Sequence, residues 1–200
     1  SGSLCAVKNG KSIDTTMGLS LQCGVMHNNR CGDIDPYILF YLAEETGMGL
    51  PELRELLEKK SGFYGMSGGI SNDLRDIEAA ADAGNDDAAN AILSYACSIK
   101  KYIGAYTAAM GGVDIIVFTA GVGENDDVVR KMVCDKLAPF GVKLDEEKNA
   151  TRSKEPRIIS TPDSAVTICV IPTNEELAIA RKSAAIAEEG KDSYGNVFSK

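Results

Sequence analysis

Residues 3–8 and 11–15 alternate apolar and polar side chains around Asn9-Gly10, the strongest short-range hairpin signature, and predict two antiparallel strands. From Met17 to Asp33 the chain is rich in Gly, Asn and Cys without a clean period, so it reads as an extended loop of a length that usually carries function. Asp35-Pro36 supplies a cap and a first-turn proline for a helix over "YILFYLAEETG" that Gly47 stops. A second helix runs from near Pro51 to Gly62, "FYGMSGGIS" reads as a Gly-rich loop, and "NDLRDIEAAADAG" as a short helix. Asn85 caps the longest helix, residues 86–110, where Ile92, Ala96, Ile99, Ile103, Tyr106 and Met110 recur at helical spacing and mark a core face.

In the second half, "GGVDIIVFTAG" predicts a buried strand, "NDDVVRKMVCDKLAPFG" a helix, "LDEEKNATR" another, and "RIIST" and "VTICVIPT" two strand-like runs. "NEELAIARKSAAIAEEG" is a final helix with Asn174 near its cap, followed by a frayed tail at 191–200. Strands and helices in this order indicate an α/β domain.

One junction in this pattern suggests chemistry. The apolar strand ending "VFTAGVGEN", Val117 to Asn125, leads through small residues into a helix, and a helix N-terminus offers backbone N–H groups and the positive end of a dipole to an anion such as phosphate. The Walker pattern is absent, and the dinucleotide fingerprint fails because Asp126 stands where a third small residue belongs. By itself Gly121-x-Gly123 is equally a plain chain turn.

Composition narrows the partners. With 44% hydrophobic residues among 200, the chain can bury a proper core. Its 29 acids against 21 bases give a formal charge of -8, which disfavours nucleic acid or an anionic membrane as partner and favours a soluble protein. Cys5, Cys23, Cys31, Cys97, Cys134 and Cys169 show no metal-ligand spacing and read as the reduced thiols of a cytoplasmic protein. His27 is the only histidine, so a His-rich metal site is excluded, and it reads first as a polar loop residue. No run of eighteen apolar residues and no signal-peptide layout occurs.

Taken together, "VKNGKSIDTTMG", "RCGDIDP", "KKSGFYGMSGGISNDLRD", "KKYIGAYTAAMGGVDIIVFTAGVGEN" and "VIPTNEELAIAR" closely resemble the acetate kinase family, in its order and approximate spacing. The resemblance implies a ribonuclease H-like fold of the acetate and sugar kinase, actin and chaperone ATPase superfamily. Residues 1–174 would be the C-terminal nucleotide-binding domain, 175–190 a helix that in the family returns to the first domain, and 191–200 a tail. It implies reversible phosphoryl transfer from ATP to acetate with Mg²⁺, and a homodimer with helix 86–110 as a candidate contact. By the same resemblance Gly121, Val122, Gly123, Glu124 and Asn125, with Asp73, Leu74 and Arg75 in place of a family Asp-Phe-Arg, line the ATP or ADP site. Arg30 matches an arginine that stabilises the transition state, and Glu175 a glutamate that helps hold Mg²⁺, with Glu176 as its neighbouring competitor.

The match also has departures. A complete family member carries a first domain, a first strand and a Gly-rich phosphate hairpin upstream of the position of Ser3, with further catalytic groups, so this chain reads as a fragment inactive alone. Leu21 stands where the family has a proline in the wall around the substrate methyl group, which leaves propionate open beside acetate. Apolar positions of the final helix, from Leu177 to Ile186, would lack their family partner. A non-catalytic nucleotide-binding and dimerisation module is the alternative reading.

Overall fold

The computed structural model describes residues 2–189 and opens on the expected hairpin, β1 (Cys5–Lys8) antiparallel to β2 (Lys11–Thr15). Asn9 and Gly10 take φ values of 54° and 75°, the left-handed pair that a tight hairpin turn needs and that Asn-Gly adopts at little cost. The long segment to Asp33 remains irregular, held where the Asp33 carboxylate accepts the Gly24 N–H at 2.7 Å.

Next come α1 (Tyr37–Thr46) and α2 (Leu50–Lys59). The Asp35 side chain accepts the Tyr37 N–H at 2.9 Å, and Gly47 ends α1 at φ 71°. No residue of α1 is buried, and Tyr37, Phe40 and Tyr41 are 75%, 61% and 62% exposed. The stretch expected to be a Gly-rich loop instead contains a short helix, α3 (Gly62–Met66). Phe63 is buried against the edge of Tyr95 at a ring separation of 5.1 Å, and anchoring that ring fixes a turn of backbone that its glycines would otherwise leave open.

Asp73 caps α4 (Leu74–Asp82) and Asn85 caps α5 (Asp86–Met110), each through its side-chain oxygen. Along α5, Ala88, Ala91, Ile92, Tyr95, Ala96, Ile103 and Tyr106 are buried, and the helix packs on α3, α4 and β1 as well as on α7 (Asp127–Cys134). That stripe is committed to the chain's own core, whereas the apolar side chains of α1 stay uncovered.

A second sheet has the order β3 (Ile115–Phe118), β5 (Thr167–Val170), β4 (Arg157–Ile158), with β3 parallel and β4 antiparallel to β5. Between β3 and β4 lie α6 (Ala120–Asn125), α7, a 3-10 turn at Ala138–Phe140 and α8 (Glu146–Ala150). Central β5 buries Ile168 and Val170 completely. β3, expected to be buried, is an edge strand, and Ile115 and Val117, two residues apart on one of its faces, are 57% and 46% exposed. An unbroken apolar run does not reveal which neighbour is missing.

The final helix, α9 (Glu175–Glu189), starts where Asn174 accepts the Leu177 N–H at 3.0 Å. Its side chains from Glu175 to Ala187 are all exposed, including Leu177, Ile179 and Ile186. The expected tail at 191–200 lies outside the described residues. No helix among the described residues is long and apolar enough to cross a membrane.

Candidate functional site

A cleft of about 1210 Å³ opens between the free side of β1 and the free side of β3, lined also by Tyr95, Ile99, Ile103 and Tyr106 of α5. The N-terminal end of α4 and all but one residue of the Gly121–Asn125 segment reach the same cleft. Asp73, Leu74, Arg75 and Glu78 line it together with Gly121, Val122, Gly123 and Asn125. Two segments nearly fifty residues apart in sequence thus meet, as a ligand held between them requires.

The glycines do not form a loop ahead of one long helix, as the sequence suggested. They lie within α6, which is separated from α7 by the capping residue Asp126. Ala120 begins α6 at φ 58°, a conformation that L-residues other than Gly, Asn and Asp adopt only with strain. A Cβ on Gly123 would lie 3.3 Å from the Phe118 carbonyl carbon, so this segment presses close to the end of β3.

Several contacts fix it there. Thr119 donates its hydroxyl to the Ile171 carbonyl at 2.7 Å, and Asn125 Nδ2 donates to the Gly121 carbonyl at 2.8 Å. Glu124 turns away from the cleft to accept from the Thr173 N–H at 2.8 Å and its hydroxyl at 3.0 Å. The Thr173 backbone donor, helped by that hydroxyl, holds the Glu124 carboxyl below its usual pKa.

The cleft carries both signs of charge. Arg75 folds onto Asp73, with Nη2 2.5 Å from Oδ2, and this contact together with the Arg75 N–H lowers the Asp73 pKa to about 2. Glu78 behaves oppositely. Burial, followed by the neighbouring Asp126 carboxylate, raises its pKa to about 7, and its Oε1 is buried without a hydrogen-bond partner.

Other expected site residues lie outside this lining. Arg30 exchanges backbone hydrogen bonds with His27 at 2.9 and 3.3 Å, and its Nη1 is buried without a partner. His27 and Asn28 of the same loop do reach the cleft. Leu21 is half exposed, and Glu175 sits in the exposed first turn of α9. His27, read as a polar loop residue, is buried at 6% exposure, and burial lowers its pKa. Gly62 explains the burial: a Cβ there would lie 1.9 Å from the His27 carbonyl oxygen, so only glycine lets α3 close over this loop.

Among the described residues no three or more His, Cys, Asp or Glu cluster as a metal site. Mg²⁺ commonly takes only one or two carboxylates and completes its shell with water and phosphate. The Thr173–Glu124 contact ties the chain two residues before Glu175 to α6.

Sequence reading missed the most deeply buried charge among the described residues. Arg130 is 2% exposed and bonded to Gly123, Glu124 and Asn149. Its signal was an arginine within the buried stripe Val129, Arg130, Val133 and Cys134 of α7.

A model described as the acetokinase family matches residues 1–181. Curated relatives include the acetate kinase of Carboxydothermus hydrogenoformans, 55% identical over 90% of this chain and 45% of that protein. The acetate kinase of Desulfotalea psychrophila is 53% identical over 92% of this chain and 45% of that protein. Among solved structures, Porphyromonas gingivalis acetate kinase superposes with a TM-score of 0.88 at 44% identity, over 93% of this chain and 46% of that one. A propionate kinase from Francisella tularensis gives 0.82 at 38%, over 90% of this chain and 45% of that one. The chain spans about half the length of the curated relatives it matches.

Proposed function

Because the chain belongs to the acetokinase family, we propose that it is the nucleotide-binding part of an acetate kinase, which moves a phosphoryl group reversibly from ATP to acetate. The supporting observation is the meeting of Asp73–Arg75 with Gly121–Asn125 in one cleft. In this reading the backbone of α6 and the side chains of Arg75 and Asn125 hold and orient the nucleotide. Arg30 stabilises charge on the transferring group. Its unpaired buried Nη1 is a donor in need of an acceptor, a state that costs about 1–3 kcal/mol until one arrives. Glu175 is the proposed Mg²⁺ ligand, and the ion when bound neutralises charge on phosphate oxygens.

We further propose a cytoplasmic homodimer, supported by the uncovered aromatics of α1. Leu21 is proposed for the acyl wall, with propionate as the second acceptor in view of the 38% identical propionate kinase.

A specific observation favours a second reading, that of a nucleotide-binding module without turnover of its own. The nucleotide segments share a cleft, whereas Arg30, Leu21 and Glu175 do not line it, and the chain matches under half of each relative. Two experiments test these readings. Titration calorimetry with Mg-ADP on the 200-residue protein is expected to show binding that Gly123→Val and Arg75→Ala weaken; absence of any adenine nucleotide binding refutes the nucleotide site. A coupled assay is expected to show no ATP- and acetate-dependent turnover by this chain alone, and turnover would refute the module reading.

A further inference from the structure

The geometry points to Arg130 as the positioning residue that sets the backbone of Gly123 and Glu124, and through it the shape of the nucleotide segment Ala120–Asn125. The inference rests on the proposed nucleotide reading for its functional consequence, but not for its structural content.

Arg130 Nη1 donates to the Gly123 and Glu124 carbonyls, both at 3.0 Å. Nε donates to Asn149 Oδ1 and Nη2 to the Asn149 carbonyl, each at 2.7 Å. Asn149 is itself fixed, since its Nδ2 donates to the Asp127 carbonyl at 2.8 Å. One guanidinium therefore joins the end of α6 to α8 through a partner that is also tied to the first turn of α7.

Every acceptor in this set is neutral. A buried cation without a bonded carboxylate is expensive to keep, and a hydrophobic side chain would serve the surrounding core at lower cost. What an apolar residue cannot do is satisfy the last carbonyls of a helix only six residues long, whose C-terminal end favours positive charge. Lysine would keep the charge but lose the planar fork that reaches carbonyls on one side and Asn149 on the other.

The other end of the segment explains why such a clamp is needed. Ala120 sits at φ 58°, and a strained backbone persists only where its surroundings over-determine it. Thr119 and Glu124 hold the segment toward β5 and Thr173, while Arg130 holds it from beneath.

The test compares Arg130→Lys, Arg130→Met and Val133→Ala in the 200-residue protein. Val133 is a fully buried neighbour on α7 that does not line the cleft, and its variant supplies a stability loss for comparison. Amide hydrogen exchange without nucleotide is expected to accelerate ~10-fold or more at residues 121–125 in both Arg130 variants, with β5 unchanged. The Kd for Mg-ADP is expected to rise ~10-fold or more, while Val133→Ala, at comparable melting temperature, stays within ~2-fold of the parent. Parent-like exchange at 121–125 in Arg130→Lys overturns the inference, as does a Val133→Ala variant that weakens Mg-ADP equally. If the parent protein binds no Mg-ADP, the nucleotide reading falls, and the exchange comparison alone still decides the role of Arg130.

Discussion

Replacing Glu78 by glutamine should abolish one pH dependence of stability. In the folded chain Glu78 has its Oε1 buried and unpartnered beside Asp126 at the cap of α7, and its pKa lies at about 7 against 4.5 for a free side chain. The folded protein therefore holds a proton that the unfolded chain sheds between about pH 4.5 and 7. Stability from this group is complete below that window and is lost as pH rises through it. The full shift would be worth about 3 kcal/mol, and partial solvent access reduces this to on the order of 1–2 kcal/mol. Glutamine imitates the protonated acid, since its amide can donate to the Asp126 carboxylate and it never ionises. Urea denaturation at pH 5, 6, 7 and 8 is the assay. Glu78→Gln should match the parent near pH 5 and exceed it by ~1–2 kcal/mol at pH 8, a gain of roughly 2–8 °C in melting temperature. His27, lowered by burial, acts in the opposite sense and weakens the fold as pH falls below about 6.5. It is common to both proteins, so it cancels in their difference. A constant offset at every pH would refute the argument.

Two further outcomes follow from single features. Ala120→Gly should raise stability by ~0.5–1 kcal/mol in the same assay, because relief of the φ 58° conformation outweighs the added freedom of the unfolded chain; a loss of stability would show that this backbone is unstrained. If α1 mediates self-association, Tyr37→Ser combined with Phe40→Ser should shift sedimentation equilibrium toward the monomer without changing the melting temperature of the monomer, since both side chains are mostly exposed. An unchanged mass distribution would remove α1 from the interface.

What the sequence made legible was governed locally. Asn9-Gly10, Asn85 and Gly47 act within a few residues of themselves, and the hairpin and the bounds of α5 came out as expected. Long motifs in register pointed to residues 73–75 and 121–125 together, and all of these but Glu124 line one cleft. Features that depend on distant partners were not legible. Phe63 turns a Gly-rich stretch into α3 only because Tyr95 receives it, and His27 is buried only because Gly62 permits the approach. The edge position of β3 and the burial of Arg130 likewise depend on neighbours far along the chain.

The open side of β3 has a consequence for handling the protein. Its outer peptide groups, among the described residues, have no ladder partner, and the run "IIVF" contains no charge and no proline to discourage addition of a foreign strand. In concentrated solution that rim is a template for intermolecular sheet growth, and a lysine at exposed Val117 would act as a gatekeeper against it.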